Sequence, residues 1–234
     1  MLEVKNLSVM IGKLQILKDV SLTVKDGEKI GLIGPNGHGK STTLNSISGL
    51  HVPKSGKITF NNILINGKDP REIIELGVVL VPEGGHLYPE MTVLENLLLG
   101  SYIPRARKIS NESLEKVYEL FPRLKLLAKR KCNTLSGGEF RMVAIGRGIM
   151  GDPKLLMLDE PTLGLAPNLV EEIGERLTEV GKMGTSIILS EENIDLLVSL
   201  VDRVYFLENG ITTIEGPALE VLHSDHVKKI YIGL

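Results

Sequence analysis

Residues 34–41 read Gly34-Pro35-Asn36-Gly37-His38-Gly39-Lys40-Ser41. This is the spacing G-x-x-x-x-G-K-[ST], preceded by an apolar run at residues 29–34 and followed by Thr42, Leu44 and Ile47 at helical spacing. A glycine-rich turn between strand and helix lets several backbone N–H groups converge on phosphate oxygens, and the helix N-terminus adds its dipole. The pattern predicts a cradle for nucleotide phosphates over residues 34–42, with the Lys40 ammonium on the β- and γ-phosphates and the Ser41 hydroxyl on Mg²⁺. The competing reading is a glycine-rich turn with an exposed lysine, which the flanking strand and helix argue against.

Two more short apolar runs, residues 155–158 and 186–189, are bounded by polar residues or glycine and followed by helical patterns. Strand-then-helix alternation predicts an α/β fold with a parallel sheet and right-handed crossovers. The first 24 residues differ: Val4, Val9, Val20, Leu22 and Val24 sit among polar neighbours, as in antiparallel strands covered on one face. A second antiparallel pair is predicted at residues 57–60 and 63–65 across Asn61-Asn62, and a third at residues 203–208 and 211–215 across Asn209-Gly210. Between residues 92 and 150 helical periodicity replaces the strand signal, marking a helical insertion in an α/β core.

The run Leu155-Leu156-Met157-Leu158-Asp159-Glu160-Pro161 puts two carboxylates just past an apolar strand, at the sheet edge where open α/β folds bind ligands. Alone it also reads as an acidic turn closed by Pro161. Beside a phosphate loop, Asp159 is placed to hold Mg²⁺ through water, and Glu160 to orient or deprotonate an attacking water. In Leu135-Ser136-Gly137-Gly138-Glu139, Ser136 and Glu139 form a capping box for the following helix. Two glycines in a first turn weaken a helix by roughly 1 kcal/mol each. They suggest close backbone approach to an anion.

Residues 135–139 resemble the signature motif of ATP-binding-cassette (ABC) ATPases, which in that family follows and precedes the same two motifs in the same order. The resemblance covers essentially the whole chain. It implies a P-loop NTPase (RecA-like) parallel-sheet core with an antiparallel β subdomain, in residues 1–87 and 151–234, and an inserted α-helical subdomain, in residues 88–150, ending in the signature. It implies ATP hydrolysis with Mg²⁺, and a head-to-tail dimer in which Ser136, Gly137 and Gly138 act on the partner's nucleotide. Residues 81–93 occupy the position of the family's Q-loop and, with residues 164–167 after the acidic pair, look most like an ATPase subunit of branched-chain amino acid importers. That subgroup implies two transmembrane permease subunits, an indirect extracytoplasmic solute-binding protein, and a peripheral position on the cytoplasmic face of the membrane. Other amino acids, amides or urea fit the resemblance as well. No appended regulatory domain is expected before the chain closes at residues 232–234.

Three positions depart from the wider family. Glu83 stands where a glutamine is usual; it can ligate Mg²⁺ but adds negative charge near phosphate. Glu192 stands where a histidine is usual, and an ionised glutamate accepts hydrogen bonds but donates none. It either points away, acts through water, marks a weaker site, or is an acidic first turn of the next helix. Ile11 stands where an aromatic ring stacks on adenine, so weak discrimination between ATP and GTP is expected.

Composition limits the alternatives. Among 234 residues, 27 Lys and Arg against 29 Asp and Glu give a formal charge of −2, which argues against a nucleic-acid partner. One cysteine, Cys132, fits a reducing compartment, and no uncharged apolar run approaches about 18 residues. The start carries no pattern of a secretory signal. Residues 105–108 and 123–131 are basic and read as solvated helix faces; His38 fills a tolerant position; Met142, Met150 and Met157 fill core. A small-molecule kinase, a non-transport cassette protein and a nucleotide-gated module with little turnover remain as alternatives. The first is separated by a phosphorylated product, the second by its lack of room for coiled-coil arms, and the third by its steady-state rate.

Overall fold

The computed structural model describes residues 1–224 and 227; residues 232–234, where the chain is expected to close, lie outside them. Strands β1 (Leu2–Ile11) and β2 (Leu14–Val24) pair antiparallel, with Leu2 opposite Val24 and Val9 opposite Leu17. Strand β3 (Lys29–Ile33) runs into the phosphate loop and α1 (Lys40–Ile47). Strands β4 (Ser55–Phe60) and β5 (Ile63–Leu64) form the second predicted pair; Asn61 and Asn62 both adopt positive φ, 49° and 63°, as a two-residue hairpin turn demands. Helix α2 (Pro70–Leu76) then leads to β6 (Val78–Val81).

The helical insertion comprises α3 (Val93–Leu99), α4 (Pro104–Lys108), α5 (Ser110–Leu120), α6 (Pro122–Leu126) and α7 (Gly137–Ile149). The core resumes with β7 (Leu155–Asp159), α8 (Pro167–Lys182), β8 (Ser186–Ser190), α9 (Ile194–Leu200), β9 (Arg203–Glu208), β10 (Ile211–Pro217) and α10 (Ala218–Leu222). Among the described residues the strands lie in the order β5-β4-β1-β2-β10-β9-β3-β8-β7-β6. Strands β9, β3, β8, β7 and β6 are mutually parallel; β5, β4, β1 and β2 form an antiparallel wing, and β10 links the two sets, antiparallel to β9 and parallel to β2. Two members of the parallel set differ from the sequence expectation. β9 pairs antiparallel with β10 as predicted, yet its other edge pairs parallel with β3. β6 is a parallel strand of four residues at the sheet edge, too short and uniformly apolar to stand out in the sequence.

The parallel strands are buried on both faces, so alternate residues enter two cores. In β7, Leu155 and Met157 join the cluster with β1, β2 and α1, while Leu156 and Leu158 join that with α3, α5 and α7. The same alternation splits Ile188 from Ile187 and Leu189 in β8. One row crosses the sheet: Val81 pairs with Leu158, Leu158 with Leu189, and Leu189 with Gly31. Because these strands point the same way, Glu83, Glu160, Glu192 and Gly34 all follow that row by two or three residues, on one edge of the sheet.

Arg105, expected on a solvated face, instead staples the insertion to the core. Its guanidinium donates to the carbonyls of Asp152 (2.7 Å), Gly151 (3.0 Å) and Glu75 (3.3 Å), and pairs with the Asp152 carboxylate. A planar fork reaches several acceptors at once, which an ammonium cannot reproduce. Arg105→Ala is expected to lower stability by about 1–3 kcal/mol in urea denaturation, and Arg105→Lys to recover only part of it.

Candidate functional site

The phosphate loop is shaped by conformations that only glycine tolerates. Gly34 has φ 145°, and a Cβ there would sit 2.1 Å from the Leu207 carbonyl oxygen. Gly37 and Gly39 also adopt positive φ, and Gly39 caps α1. His38 does more than fill a tolerant position. Its Nδ1 accepts from the Asn209 N–H (3.1 Å), and its carbonyl accepts from the Gly210 N–H (3.2 Å), which anchors the loop to the β9–β10 turn.

Lys40 is only 4% exposed, an ammonium buried at the floor of the loop. Its Nζ donates to the Gly34 carbonyl (2.7 Å) and more distantly to Asn36 Oδ1 (3.4 Å). Two carboxylates face it, Glu160 and Glu192, each 3.8 Å away. Glu192 therefore points at the phosphate loop; it precedes Asn193, whose side chain caps α9, so it is not part of that helix's first turn. Glu160 adopts φ 46°, a left-handed conformation uncommon for a side-chain-bearing residue, and its N–H is tied to the Ser190 carbonyl (2.9 Å). Burial raises the Glu160 pKa above the ordinary carboxylate range. The charges of Glu192, Glu83 and Asp159 push it further up, and Lys40 opposes them.

Asp159 is 5% exposed, and its Oδ1 has no hydrogen-bond partner; neither does the buried hydroxyl of Ser190, its neighbour across the β7–β8 register. A buried carboxylate oxygen without a donor is costly. It fits a hydrated cation. Among the described residues no group of three or more His, Cys, Asp or Glu could cage a metal alone, so a cation here has to bring phosphate oxygens and waters with it. A cleft of about 430 Å³ opens over the phosphate loop and reaches Glu160, while Asp159, Ser190 and Glu192 lie outside its lining. Its lining includes Asn36, Gly37, Gly39, Lys40, Ser41 and Thr42 from the loop, with Glu83 and Glu160 on one side and Ile11 and Ile16 on the other. Ile16 has no motif signal; only the hairpin of β1 and β2 brings it beside Ile11.

The family model described as ABC transporter matches residues 17–163. The chain belongs to the ABC transporter family. It is an ATPase of that family, whose ATP hydrolysis is coupled to transport. It is 39% identical to the high-affinity branched-chain amino acid transport ATP-binding protein BraG of Pseudomonas aeruginosa, with 100% of each chain covered. It is 34% identical to a probable branched-chain amino acid transport ATP-binding protein, LivG, of Methanocaldococcus jannaschii, covering 99% of this chain and 97% of that protein. Among solved structures, a nucleotide-free ATP-binding cassette superposes with a TM-score of 0.86 at 33% identity, over 100% of this chain and 99% of that one. A dimeric cassette bound to ADP and phosphate superposes with a TM-score of 0.79 at 29% identity, over 93% and 99%.

In this ABC ATPase the Ser136–Gly138 turn lies outside the lining of the phosphate cleft. Ser136 caps α7: its hydroxyl accepts from the Glu139 N–H (3.3 Å), and the Glu139 carboxylate accepts from the Ser136 N–H (2.8 Å) and from Arg123 Nε (2.8 Å). The bond from the Ser136 backbone is the largest influence holding the Glu139 pKa below its usual value, against burial. The glycines differ. A Cβ on Gly138 would meet Leu169 Cδ1 at 2.6 Å, the tip of a half-buried side chain that would have to move aside. A Cβ on Gly137 would meet nothing nearer than 3.9 Å, so nothing within the chain requires it.

Arg147 of α7, which no motif singled out, donates to the carbonyls of Gly85 (2.6 Å) and His86 (3.0 Å) and so ties the signature helix to the Glu83 loop. Gly137→Ala is expected to leave stability unchanged or raise it by up to about 1 kcal/mol. Gly138→Ala should lower it by about 1 kcal/mol or more; thermal denaturation of the two variants checks the contrast.

Proposed function

We propose that this ABC ATPase energises uptake of branched-chain amino acids, as one of two ATP-binding subunits in a head-to-tail dimer on two membrane-embedded permease subunits fed by an extracytoplasmic solute-binding protein. The substrate class follows the names of its full-length relatives, and pairing follows the dimeric cassettes it resembles. No helix among the described residues is long and apolar enough to cross a membrane. Membrane-spanning partners would have to supply the path, with this chain peripheral on the cytoplasmic face. Residues 1–87 and 151–234 are read as the nucleotide-binding core, and 88–150 as the helical subdomain that docks the permease.

The observation that carries the catalytic reading is the convergence of Glu160 and Glu192 on the buried Lys40 ammonium beside an unpartnered Asp159 oxygen. The ammonium is already desolvated, so a phosphate entering the loop exchanges carboxylate neighbours for phosphate oxygens without a new burial cost for Lys40. Backbone N–H groups of residues 36–42 would cradle the phosphates, in a loop that Gly34 and Pro35, which has no N–H of its own, open, and Ile11 and Ile16 would pack on the base. Ser41, Asp159 and Glu83 would hold Mg²⁺, which supplies charge neutralisation at the transferring phosphoryl group.

Freed from Lys40, the Glu160 carboxylate is the base that orients and deprotonates the attacking water. Its raised pKa brings it nearer the proton affinity such a step needs. Glu192 faces the same phosphate as an acceptor, acting through a donor such as water. Ser136, Gly137 and Gly138 would close on the γ-phosphate held by the partner subunit. That role supplies a reason for Gly137 that this chain's own packing does not.

Glu160→Gln is expected to retain ATP binding, abolish steady-state phosphate release and accumulate dimer in gel filtration; undiminished release removes Glu160 as the base. The acidic limb of kcat/KM should lie above the ordinary carboxylate range, because Glu160 must be ionised and its folded pKa is raised. Glu192→Gln removes one of the negative charges that raise it, so the limb should move to lower pH. Gly137→Ala should lower turnover at least tenfold despite its intact fold. With only isoleucines on the base side, GTP is expected to compete with ATP to within about tenfold. Uptake of labelled leucine by proteoliposomes carrying the permeases tests the substrate assignment against urea and amides.

A further inference from the structure

Glu191, which neither the phosphate-loop motif nor the acidic pair includes, is 4% exposed and lies between the two site loops. A buried carboxylate is ordinarily matched by a cation, yet no ion pair among the described residues involves it. Instead four donors converge on it. Its Oε2 accepts from the Thr162 hydroxyl (2.7 Å) and the Thr162 N–H (3.3 Å), while its Oε1 accepts from the N–H groups of Glu192 (3.0 Å) and Asn193 (3.3 Å). One oxygen thus holds the loop after Glu160, and the other holds the loop that carries Glu192.

These loops are also tied by the Glu160 N–H on the Ser190 carbonyl (2.9 Å). Glu160 itself is held at φ 46°, a conformation that persists when its surroundings over-determine it. Two ties, one at the Glu160 N–H itself and one two residues later at Thr162, fix the separation at which both catalytic-site carboxylates stand 3.8 Å from Lys40.

We propose that Glu191 is a positioning residue for ATP hydrolysis: its two carboxylate oxygens lock the Thr162 loop to the Glu192 loop and so set Glu160 against the attacking water. Its effect is expected on the catalytic step rather than on binding, because all four of its bonds go to the loops on either side of Glu160 and none to the phosphate loop. The inference rests on the reading of Glu160 as the base.

The test uses the full chain. Thr162→Val removes the shortest bond while keeping volume, Thr162→Ser keeps the hydroxyl, and Glu191→Gln replaces one of the two accepting oxygens with a donor. Each is measured for kcat and KM, for affinity toward a non-hydrolysable ATP analogue, and for thermal midpoint. Thr162→Val and Glu191→Gln are expected to lower kcat about ten- to a hundredfold, with KM and analogue affinity within about twofold. Thr162→Ser is expected to stay within about threefold of the parent in kcat.

The proposal is overturned if Thr162→Val keeps the parental kcat, if analogue affinity falls as far as kcat does, or if Thr162→Ser is as impaired as Thr162→Val. Should Glu191→Gln fail to fold, the Thr162 pair alone decides. Glu160→Gln in the same assay separates the two levels: retained turnover there defeats the base assignment itself, whatever the Glu191 and Thr162 variants do.

Discussion

A single register constrains everything that this molecule can do. Val81, Leu158, Leu189 and Gly31 form one row across four parallel strands. The phosphate loop, the Glu83 loop, the Asp159–Glu160 turn and the Glu191–Glu192 turn all spring from the same edge just beyond it. Parallel strands deliver their C-terminal ends to one side, and that edge is where ligands of open α/β sheets bind. A slip of one residue in any of these strands would exchange its two buried faces and turn its carboxylate away from Lys40. The two hydrophobic cores, one on each side of the sheet, therefore do more than stabilise. Each alternate residue they capture fixes which loop atom faces the cleft.

Charge is the second constraint, and it works against burial. One ammonium, Lys40, is surrounded by Glu160 and Glu192, and the charges of Glu83 and Asp159 reach Glu160 as well. Glutamates at positions 83 and 192, where the wider family carries a glutamine and a histidine, make the site more negative than that family pattern. A cation accompanying the phosphates is correspondingly more valuable here. The unpartnered Asp159 oxygen and Ser190 hydroxyl mark the place where the protein leaves polar capacity unspent.

What was legible in the sequence was local. The turn at residues 34–41, the acids after β7 and the capped turn at Ser136 each carry their chemistry in consecutive residues, and the Asn61-Asn62 and Asn209-Gly210 hairpins follow from turns that need positive φ. What was not legible depends on residues meeting through space. Ile16 joins the cleft because it sits on β2, the strand that returns alongside the one carrying Ile11. Glu191 matters because Thr162 lies 29 positions away in sequence yet 2.7 Å away in space. Arg105 read as one of a run of surface cations until the carbonyls of residues 75, 151 and 152 were seen to converge on it. Strand β6 is four apolar residues long, and periodicity over so short a run distinguishes nothing.

The central strand pair has a consequence for biosynthesis. β3 acquires its parallel neighbours only from β8 and β9, with Gly31 meeting Leu189 and Val204. A nascent chain emerging from the ribosome presents its phosphate loop early, but the strand beneath that loop has no partner until β8, Ser186–Ser190, has been made. Contacts so distant in sequence are slow to close and leave apolar edges bare meanwhile. β1, β2 and β4 can pair among themselves from the first 60 residues, so the antiparallel wing is able to form before β3 finds its neighbours. Competence to hold nucleotide is then among the last properties the chain acquires, because the loop's own strand is among the last to be paired on both edges.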